Sequence, residues 1–250
     1  MIKILLGLIK YFPFGKSTLL TLLLKLTPQR LITKSVGDIY LSLDLNEALD
    51  RDYLKEYYDH EEIDFIISAL NSEDIFVDIG ANLGFYSLMI AHRKPDVTVI
   101  AFEPDPYNFT KFEKNIALNN SSNIRLINKG ISNTNDPLKL MINTSGNRGG
   151  NSVILSQTQW TGLPHEVSID IECQTLLNAM AEFKIQNIGA LKIDIEGYEY
   201  TVLRQFLLDA PRSLYPRTIV IEYWPHLDDI AGGSSINLLK YCGYKLIKKD

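Results

Sequence analysis

The chain has 250 residues, enough to bury a large hydrophobic core, and its composition shows neither low-complexity sequence nor the bias of a disordered protein. Its formal net charge of −5 at pH 7 argues against a nucleic acid as the main partner, because binding to phosphate backbones requires a concentrated basic surface. Two cysteines, Cys173 and Cys242, provide neither a disulfide framework nor the spacing of a CxxC metal site, and we therefore expect a cytoplasmic protein.

The first element is an apolar N-terminal segment. Lysines interrupt it at four positions: Lys3, Lys10, Lys16 and Lys25. No window therefore reaches the ~18 uncharged residues that a membrane span needs. Two interpretations remain, namely that residues 1–27 lie on the inner face of a membrane as a basic amphipathic segment, or that they form helices packed on the domain. We expect a helical segment over residues 1–35 and a single domain over residues 36–250.

After residue 70, short apolar runs alternate with helical patterns, which is typical of parallel strands joined by helices. Strands are predicted over residues 75–79, 97–102, 123–128, 190–195, 218–223 and 244–247. Helices are predicted over residues 84–93, 107–120, 176–183, 198–208 and 236–241, with Thr175 as an N-cap. The alternating runs at 138–143 and 167–173 flank a loop rich in glycine and asparagine, and they indicate an antiparallel insertion. We expect an α/β fold with a mostly parallel sheet and helices on both faces.

A turn with two glycines and a carboxylate follows the first predicted strand of this alternating region, in the sequence FVDIGANLGFYS (residues 76–87). Ligands of open parallel sheets sit beyond the carboxyl ends of the strands, and Gly80 and Gly84 allow the backbone to turn tightly beside one. Glu103 ends the next strand, where it can accept hydrogen bonds from both ribose hydroxyls of an adenosine ligand. Dinucleotides and S-adenosylmethionine both satisfy these features.

The sign of the charge separates the two ligands. The spacing Gly-x-x-x-Gly lacks the middle glycine that makes room for a pyrophosphate. Asp78 lies two residues before Gly80, where its charge would repel phosphates and favour an ammonium or a sulfonium. The sequence therefore favours S-adenosylmethionine, and a nucleotide-dependent oxidoreductase is the alternative enzyme.

The chain resembles the FkbM-type S-adenosylmethionine-dependent methyltransferases. The resemblance rests on five segments in order and spacing: VDIGANLGFYS, FEPDPYNF, NIALNN, NKGISN and LKIDIEGYEYTVLR. It extends from about residue 40 to about residue 224 and implies a class I methyltransferase-like (Rossmann-like) fold. It also implies methyl transfer to a hydroxyl oxygen of a sugar or natural product. The implied cofactor-binding residues are Asp78, Gly80, Ala81, Asn82 and Gly84 at the turn, Glu103 and Pro104 after the second strand, and Lys129, Gly130 and Ile131 against adenine.

The sequence departs from the family pattern in three places. The family's T-L-D-D reads Thr175-Leu176-Leu177-Asn178 here, so those acids are absent. Where relatives carry a histidine after the fifth strand, this chain has Glu222-Tyr223-Trp224-Pro225-His226. The chain stops soon after the sixth predicted strand, so the seventh strand of the common fold is expected to be missing or supplied by another chain.

Candidate catalytic residues follow the fourth and fifth strands. Methyl transfer to an alcohol gains from alignment of the acceptor and from a general base. Asp194 and Glu196 stand at i and i+2 on an extended backbone and share a face, so they can converge on one pocket. They would bind the ligand's ammonium, act as a base or hold a divalent metal, whereas the alternative is that they cap the next helix. Glu222 and His226 are the remaining catalytic candidates.

The expected partner is a small-molecule or glycan acceptor. No metal is assigned, because no further cluster of ligands is visible in the sequence. Arg148, in the glycine-rich loop, is a weaker candidate for contact with an anionic substrate. A non-catalytic scaffold member of the same fold is the alternative to an enzyme.

Overall fold

The computed structural model describes residues 30–56, 58, 60–153 and 167–247 of the chain. Its elements follow in this order: β1 (Leu31–Val36), β2 (Ile39–Asp44), α1 (Ala48–Leu54), α2 (His60–Ala69), β3 (Ile75–Ile79), α3 (Phe85–Arg93), β4 (Thr98–Phe102), α4 (Pro106–Asn119), β5 (Ile124–Ile127), β6 (Gly130–Ser132), β7 (Leu138–Ile142), β8 (Val167–Ile171), β9 (Cys173–Thr175), α5 (Leu176–Glu182), β10 (Ala190–Ile193), α6 (Glu199–Asp209), β11 (Thr218–Ile221), α7 (Pro225–Ile230) and α8 (Ser235–Tyr241).

The centre of the fold is a five-stranded parallel sheet in the order β11-β10-β3-β4-β5. This confirms the predicted α/β fold and its parallel strands. Successive residues of a strand point to opposite faces, so Asp78 of β3 and its register partner Lys192 of β10 share the face opposite to that of Ile79. The carboxyl ends of all five strands lie along one edge of the sheet, and this edge carries the site.

Helices cover both faces of the sheet and bury two hydrophobic clusters. One face packs against the β1–β2 hairpin and α1 to α4, with Phe76, Phe85 and Phe112 fully buried. The opposite face packs against α5, α6 and the end of α8, around side chains such as Phe102 and Phe206. Neither face of a buried parallel sheet is free for water, which explains the continuous apolar runs of the strands.

The insertion between the third and fourth central strands is antiparallel, as predicted. It pairs β7 with β8, from Leu138 opposite Ile171 to Ile142 opposite Val167. The short strands β6 and β9 pair in parallel beside it. Thr175 accepts a hydrogen bond from the backbone N–H of Asn178 at 3.1 Å, so it caps α5 as predicted.

Two predictions about the ends of the chain differ from the structure. The predicted sixth strand at 244–247 is wrong, because these residues pair with no strand and the side chains of Leu246 and Ile247 are 54% and 76% exposed. Within the described ranges the central sheet has neither a sixth nor a seventh strand. At the other end, the boundary predicted at residue 35 falls inside β1, whose side chains Ile32 and Val36 are buried in the core.

The membrane-surface hypothesis concerns residues 1–27, which lie outside the described residues. Among the residues that are described, no helix is both long enough and apolar enough to span a membrane. The β1–β2 hairpin, α1 and α2, which precede the first central strand, have no counterpart in the sequence-based expectations.

Candidate functional site

A cleft lies beyond the carboxyl ends of β3, β4 and β10 and encloses about 650 Å³ of empty volume, counting space open to solvent. Most of the predicted cofactor-binding residues line it: Gly80, Asn82, Glu103, Pro104, Lys129, Gly130 and Ile131. The insertion supplies an apolar wall near Ile131, formed by side chains that include Leu138, Leu140 and Ile171.

The turn after β3 takes its shape from its glycines. Gly80 has a φ of +80°, and a Cβ there would lie 1.9 Å from the backbone oxygen of Asp194. Gly84 has a φ of +89°, and a Cβ there would lie 2.0 Å from the ring of Phe112. Both positions therefore exclude side chains for two reasons, a left-handed backbone and direct steric overlap. Because Gly80 closes against the end of β10, the turn and the Asp194 segment form one wall of the cleft.

Glu103 lies at the end of β4 and is only 5% exposed. Its Oε2 accepts a hydrogen bond from the backbone N–H of Asn82 at 2.7 Å, and its Oε1 accepts one from Asp105 at 2.9 Å. Burial outweighs these bonds and raises the pKa of Glu103 to about 8. Each carboxylate oxygen still has a second lone pair, so the side chain can accept further hydrogen bonds from a ligand in the cleft.

Asp78 lies behind the cleft rather than in its lining, with 1% of its surface exposed. Its Oδ2 accepts a hydrogen bond from the Ser87 hydroxyl at 2.6 Å, and its Oδ1 has no hydrogen-bond partner among the described residues. Burial raises the pKa of Asp78, while the nearby Lys192 ammonium works in the opposite direction. Any effect of Asp78 on a ligand would therefore act through its charge and through the neighbouring groups.

Asp194, Glu196 and Glu222 form a cluster of carboxylates at the ends of β10 and β11. One oxygen of each lies within 4.8 Å of the others. The register places Ile193 opposite Ile221, so Asp194 and Glu222 follow these two strands side by side. Acidic groups often lie this close without a metal, and no ion is assigned to them. The third member, Glu222, comes from a different strand, which is why spacing along the sequence did not reveal the cluster.

Glu222 is the most strongly perturbed acid of this cluster. Burial, followed by the charges of Asp194 and Glu196, raises the pKa of Glu222 to about 9, although the Trp224 side chain donates a hydrogen bond to it. Its Oε2 is buried and has no hydrogen-bond partner among the described residues. Burial and the neighbouring negative charges therefore favour the protonated form of Glu222, and a positive charge bound nearby would favour the ionised form.

The contacts of these acids can be compared with those of the acid that closes the turn before α6. The turn before α6 is closed by Glu199, whose Oε1 accepts hydrogen bonds from the backbone N–H groups of Ile195 at 2.8 Å and Gly197 at 3.2 Å. Glu199 is 3% exposed, and burial raises its pKa to about 7. The carboxylate of Asp194 instead accepts a hydrogen bond from Lys192, and both Asp194 and Glu196 line the cleft.

The glycine- and asparagine-rich loop borders the cleft, with residues such as Arg148 and Asn151 in its lining. We call residues 143–153 the strap. Arg148 donates to Asp105 at 2.7 Å, and its guanidinium lies 4.5 Å from the ring centroid of Tyr107. Asn151 donates to the same Asp105 oxygen at 2.9 Å, and the Ser152 hydroxyl donates to the backbone oxygen of Glu196 at 2.9 Å. The strap thus joins the two ends of the cleft, while Arg148 is already engaged by an acid of the chain.

The remaining predicted residues lie outside the lining of the cleft. Ala81 and Gly84 belong to the turn and shape it, and Glu222 lies next to the lining acids Asp194 and Glu196. His226 lies on α7, with its ring centroid 5.9 Å from that of Trp224. Three features of the site were not predicted from the sequence: Lys192, the apolar wall from the insertion, and Tyr198 in the lining. A lysine inside the apolar run ALKIDI was the available signal for the first of these.

Comparisons with known proteins point to one family. The family model for the methyltransferase FkbM domain matches residues 78–246. Methyltransferase sdnD of Sordaria araneosa is 27% identical over 183 residues, covering 63% of this chain and 69% of that protein. The 31-O-demethyl-FK506 methyltransferase FkbM of Streptomyces tacrolimicus is 28% identical over 206 residues, covering 72% of this chain and 76% of that protein.

The sequence identity to proteins of known structure is lower than that to these relatives. The precorrin-6y C5,15-methyltransferase of Geobacter metallireducens is 13% identical, with a TM-score of 0.42 and coverage of 74% of this chain and 72% of that one.

Proposed function

Because the chain belongs to the FkbM methyltransferase family, we propose that it transfers a methyl group from S-adenosylmethionine to a hydroxyl oxygen of an uncharged acceptor. A sugar or a hydroxylated natural product is the acceptor class. The relative from Streptomyces tacrolimicus, whose name specifies methylation at an oxygen, supports transfer to oxygen.

One observation carries the proposal: Glu103 lines the cleft on one side and Asp194 and Glu196 line it on the other, with Glu222 next to these two acids. Glu103 accepts the ribose hydroxyls at one end. The cluster lies at the other end, where an ammonium and a sulfonium are stabilised by negative charge and where an alcohol loses its proton. An anionic acceptor such as a sugar phosphate would meet this negative charge and be repelled.

The residues of the chain then have distinct tasks. The cofactor supplies the methyl group together with its leaving group, so the protein chiefly aligns the acceptor oxygen with the transferred carbon. Asp194 and Glu196 line the cleft. Asp194 is the candidate to hold the amino acid end of the cofactor in the orientation for transfer, Glu196 is the candidate to hold the acceptor hydroxyl, and Glu222 is the candidate to accept its proton. The strap, which is hydrogen-bonded to Asp105 and Glu196, borders the cleft beside these groups.

The test is methyl transfer from S-adenosylmethionine with a labelled methyl group to a panel of neutral sugars and cyclic alcohols. We expect label on an oxygen of the acceptor and none on the same compound with its hydroxyl groups blocked. Glu196→Gln and Asp194→Asn should each slow single-turnover transfer at saturating cofactor by at least ~10²-fold.

Two results would contradict the proposal. Label on a nitrogen or carbon atom would exclude oxygen as the acceptor, and parent-like rates in both variants would remove these acids from the mechanism. Failure of the parent protein to bind S-adenosylmethionine at all would instead favour a non-catalytic member of the fold.

A further inference from the structure

Lys192 is a buried lysine that the proposed mechanism does not use. It lies on β10 in register with Asp78 of β3, and only 5% of it is exposed. Lysine is almost never buried to this extent unless it is paired with an acid. The residue is absent from the lining of the cleft, so it does not touch a ligand directly.

Lys192 is connected to the cleft through Asp194. Its Nζ donates to Oδ2 of Asp194 at 2.9 Å, and Asp194 lines the cleft. On its other side, Nζ lies 4.7 Å from the ring centroid of Tyr86. Burial works to lower the pKa of Lys192, but the charges of Asp194 and Asp78 outweigh it and the pKa ends above its ordinary value. The ammonium is therefore held charged between two acids.

The two oxygens of the Asp194 carboxylate therefore have different surroundings. Oδ2 is fixed by Lys192, and the 40% exposed side chain keeps its other oxygen available to the cleft. Without the ammonium, Asp78 and Asp194 would be two acids on neighbouring strands with no compensating charge, and protonation of one would be favoured. The orientation of the Asp194 carboxylate therefore depends on Lys192.

We propose that Lys192 is a positioning residue that holds the Asp194 carboxylate toward the ammonium of the amino acid portion of the cofactor. The adenosine portion is held elsewhere, by Glu103 and the wall around Ile131. Loss of Lys192 should therefore weaken binding of ligands that carry the amino acid portion and leave binding of the adenosine portion unchanged. This inference depends on the cofactor and is independent of the methyl acceptor.

The chain offers a matched control in Lys111, which forms a second buried ion pair with Asp50, away from the cleft. We would measure calorimetric affinities of the parent, Lys192→Met, Lys192→Gln and Lys111→Met for two ligands. S-adenosylhomocysteine contains the amino acid portion, and 5′-methylthioadenosine lacks it. In both Lys192 variants, affinity for S-adenosylhomocysteine should fall at least ~10-fold while affinity for methylthioadenosine changes less than about twofold. Lys111→Met should leave both affinities unchanged.

Each other outcome rejects the proposal. Equal losses for the two ligands would indicate general damage to the cleft, and parent-like affinities would show that Lys192 has no positioning role. If neither Lys192 variant folds while Lys111→Met does, the lysine is a structural residue of the core. If the parent protein binds neither ligand, the assignment of S-adenosylmethionine as the cofactor is wrong.

Discussion

Glu103 shows how a single buried residue combines a structural and a binding role. Its two oxygens already accept backbone hydrogen bonds from Asn82 and Asp105, which tie the glycine turn to the start of α4. This is more than the sequence suggested, because the ribose role alone does not require burial. The raised pKa, about 8, means that the ligand-free side chain is mostly protonated at pH 7. An ionised carboxylate is the better acceptor for two hydroxyls.

The first prediction concerns the pH dependence of ligand binding to Glu103. Since binding to the ionised form requires loss of a proton below pH 8, affinity for 5′-methylthioadenosine should rise up to ~10-fold per pH unit from pH 6 to 8 and then level off. This ligand is the suitable probe because it has no amino group that titrates in the same range. Glu103→Gln should bind at least ~10-fold more weakly at pH 8.5 and show no such rise. A parallel rise in both proteins would assign the proton to another group.

At the scale of elements, the turn after β3 and the end of β10 act as one unit. The backbone N–H groups of Gly80 and Ala81 both donate to the Phe102 oxygen at 3.0 Å, while the N–H of Asp194 donates to the Ile79 oxygen at 3.0 Å. The cleft wall is thus hydrogen-bonded across three strands. A side chain at Gly80 would push against this wall at the Asp194 oxygen.

The second prediction compares two glycines that differ only in their surroundings. Gly80 and Gly232 have nearly equal φ values of +80° and +83°, but a Cβ at Gly232 would meet nothing within 4 Å. Gly232→Ala should lower the free energy of unfolding by about 1 kcal/mol, the usual cost of a left-handed alanine. Gly80→Ala adds a steric overlap and should cost about 3 kcal/mol or more. Urea unfolding of both variants measures the difference, and equal costs would refute the close approach.

The elements that sequence patterns predicted well are those with strong periodicity. The strand Ile75–Ile79 and the helix cap at Thr175 are found where they were expected, because a buried strand and an N-cap are local features. The run at 244–247 failed because a strand also needs a partner edge, which a local pattern cannot reveal. The approach of Glu222 to Asp194 depends on strand order and register, so it became visible only in three dimensions. The pair of Lys192 and Asp194 is local, since the two residues stand at i and i+2 on one extended segment.

In the whole molecule, burial raises the pKa of three acids at or near the cleft: Glu103, which lines it, to about 8, and Glu199 and Glu222, which lie next to its lining, to about 7 and about 9. In the unfolded chain these acids would ionise near their ordinary value of about 4.3. Between that value and the raised ones, the folded state binds more protons than the unfolded state. Stability of the ligand-free protein should therefore decrease as pH rises through this range. A bound cation compensates the charge, so the cofactor should stabilise most at the alkaline end.

The third prediction assigns a large part of this pH dependence to Glu222. Glu222→Gln removes the proton uptake, so the variant and the parent should melt at similar temperatures near pH 5, where Glu222 is neutral in the folded state. At pH 8.5 the variant should be more stable than the parent by ~1 kcal/mol or more, which corresponds to a Tm several degrees higher. The reason is that Glu222 of the parent would be ionised in the unfolded chain, whereas folding favours its protonated form. Asp170→Asn is the matched control, since Asp170 forms an exposed ion pair with Lys139 on the insertion and should leave the slope unchanged. If Glu222→Gln destabilises the protein equally at both pH values, Glu222 is ionised in the folded state. If instead the variant is more stable at pH 8.5 but slow in methyl transfer, then burial of Glu222 lowers the stability of the protein and contributes to catalysis.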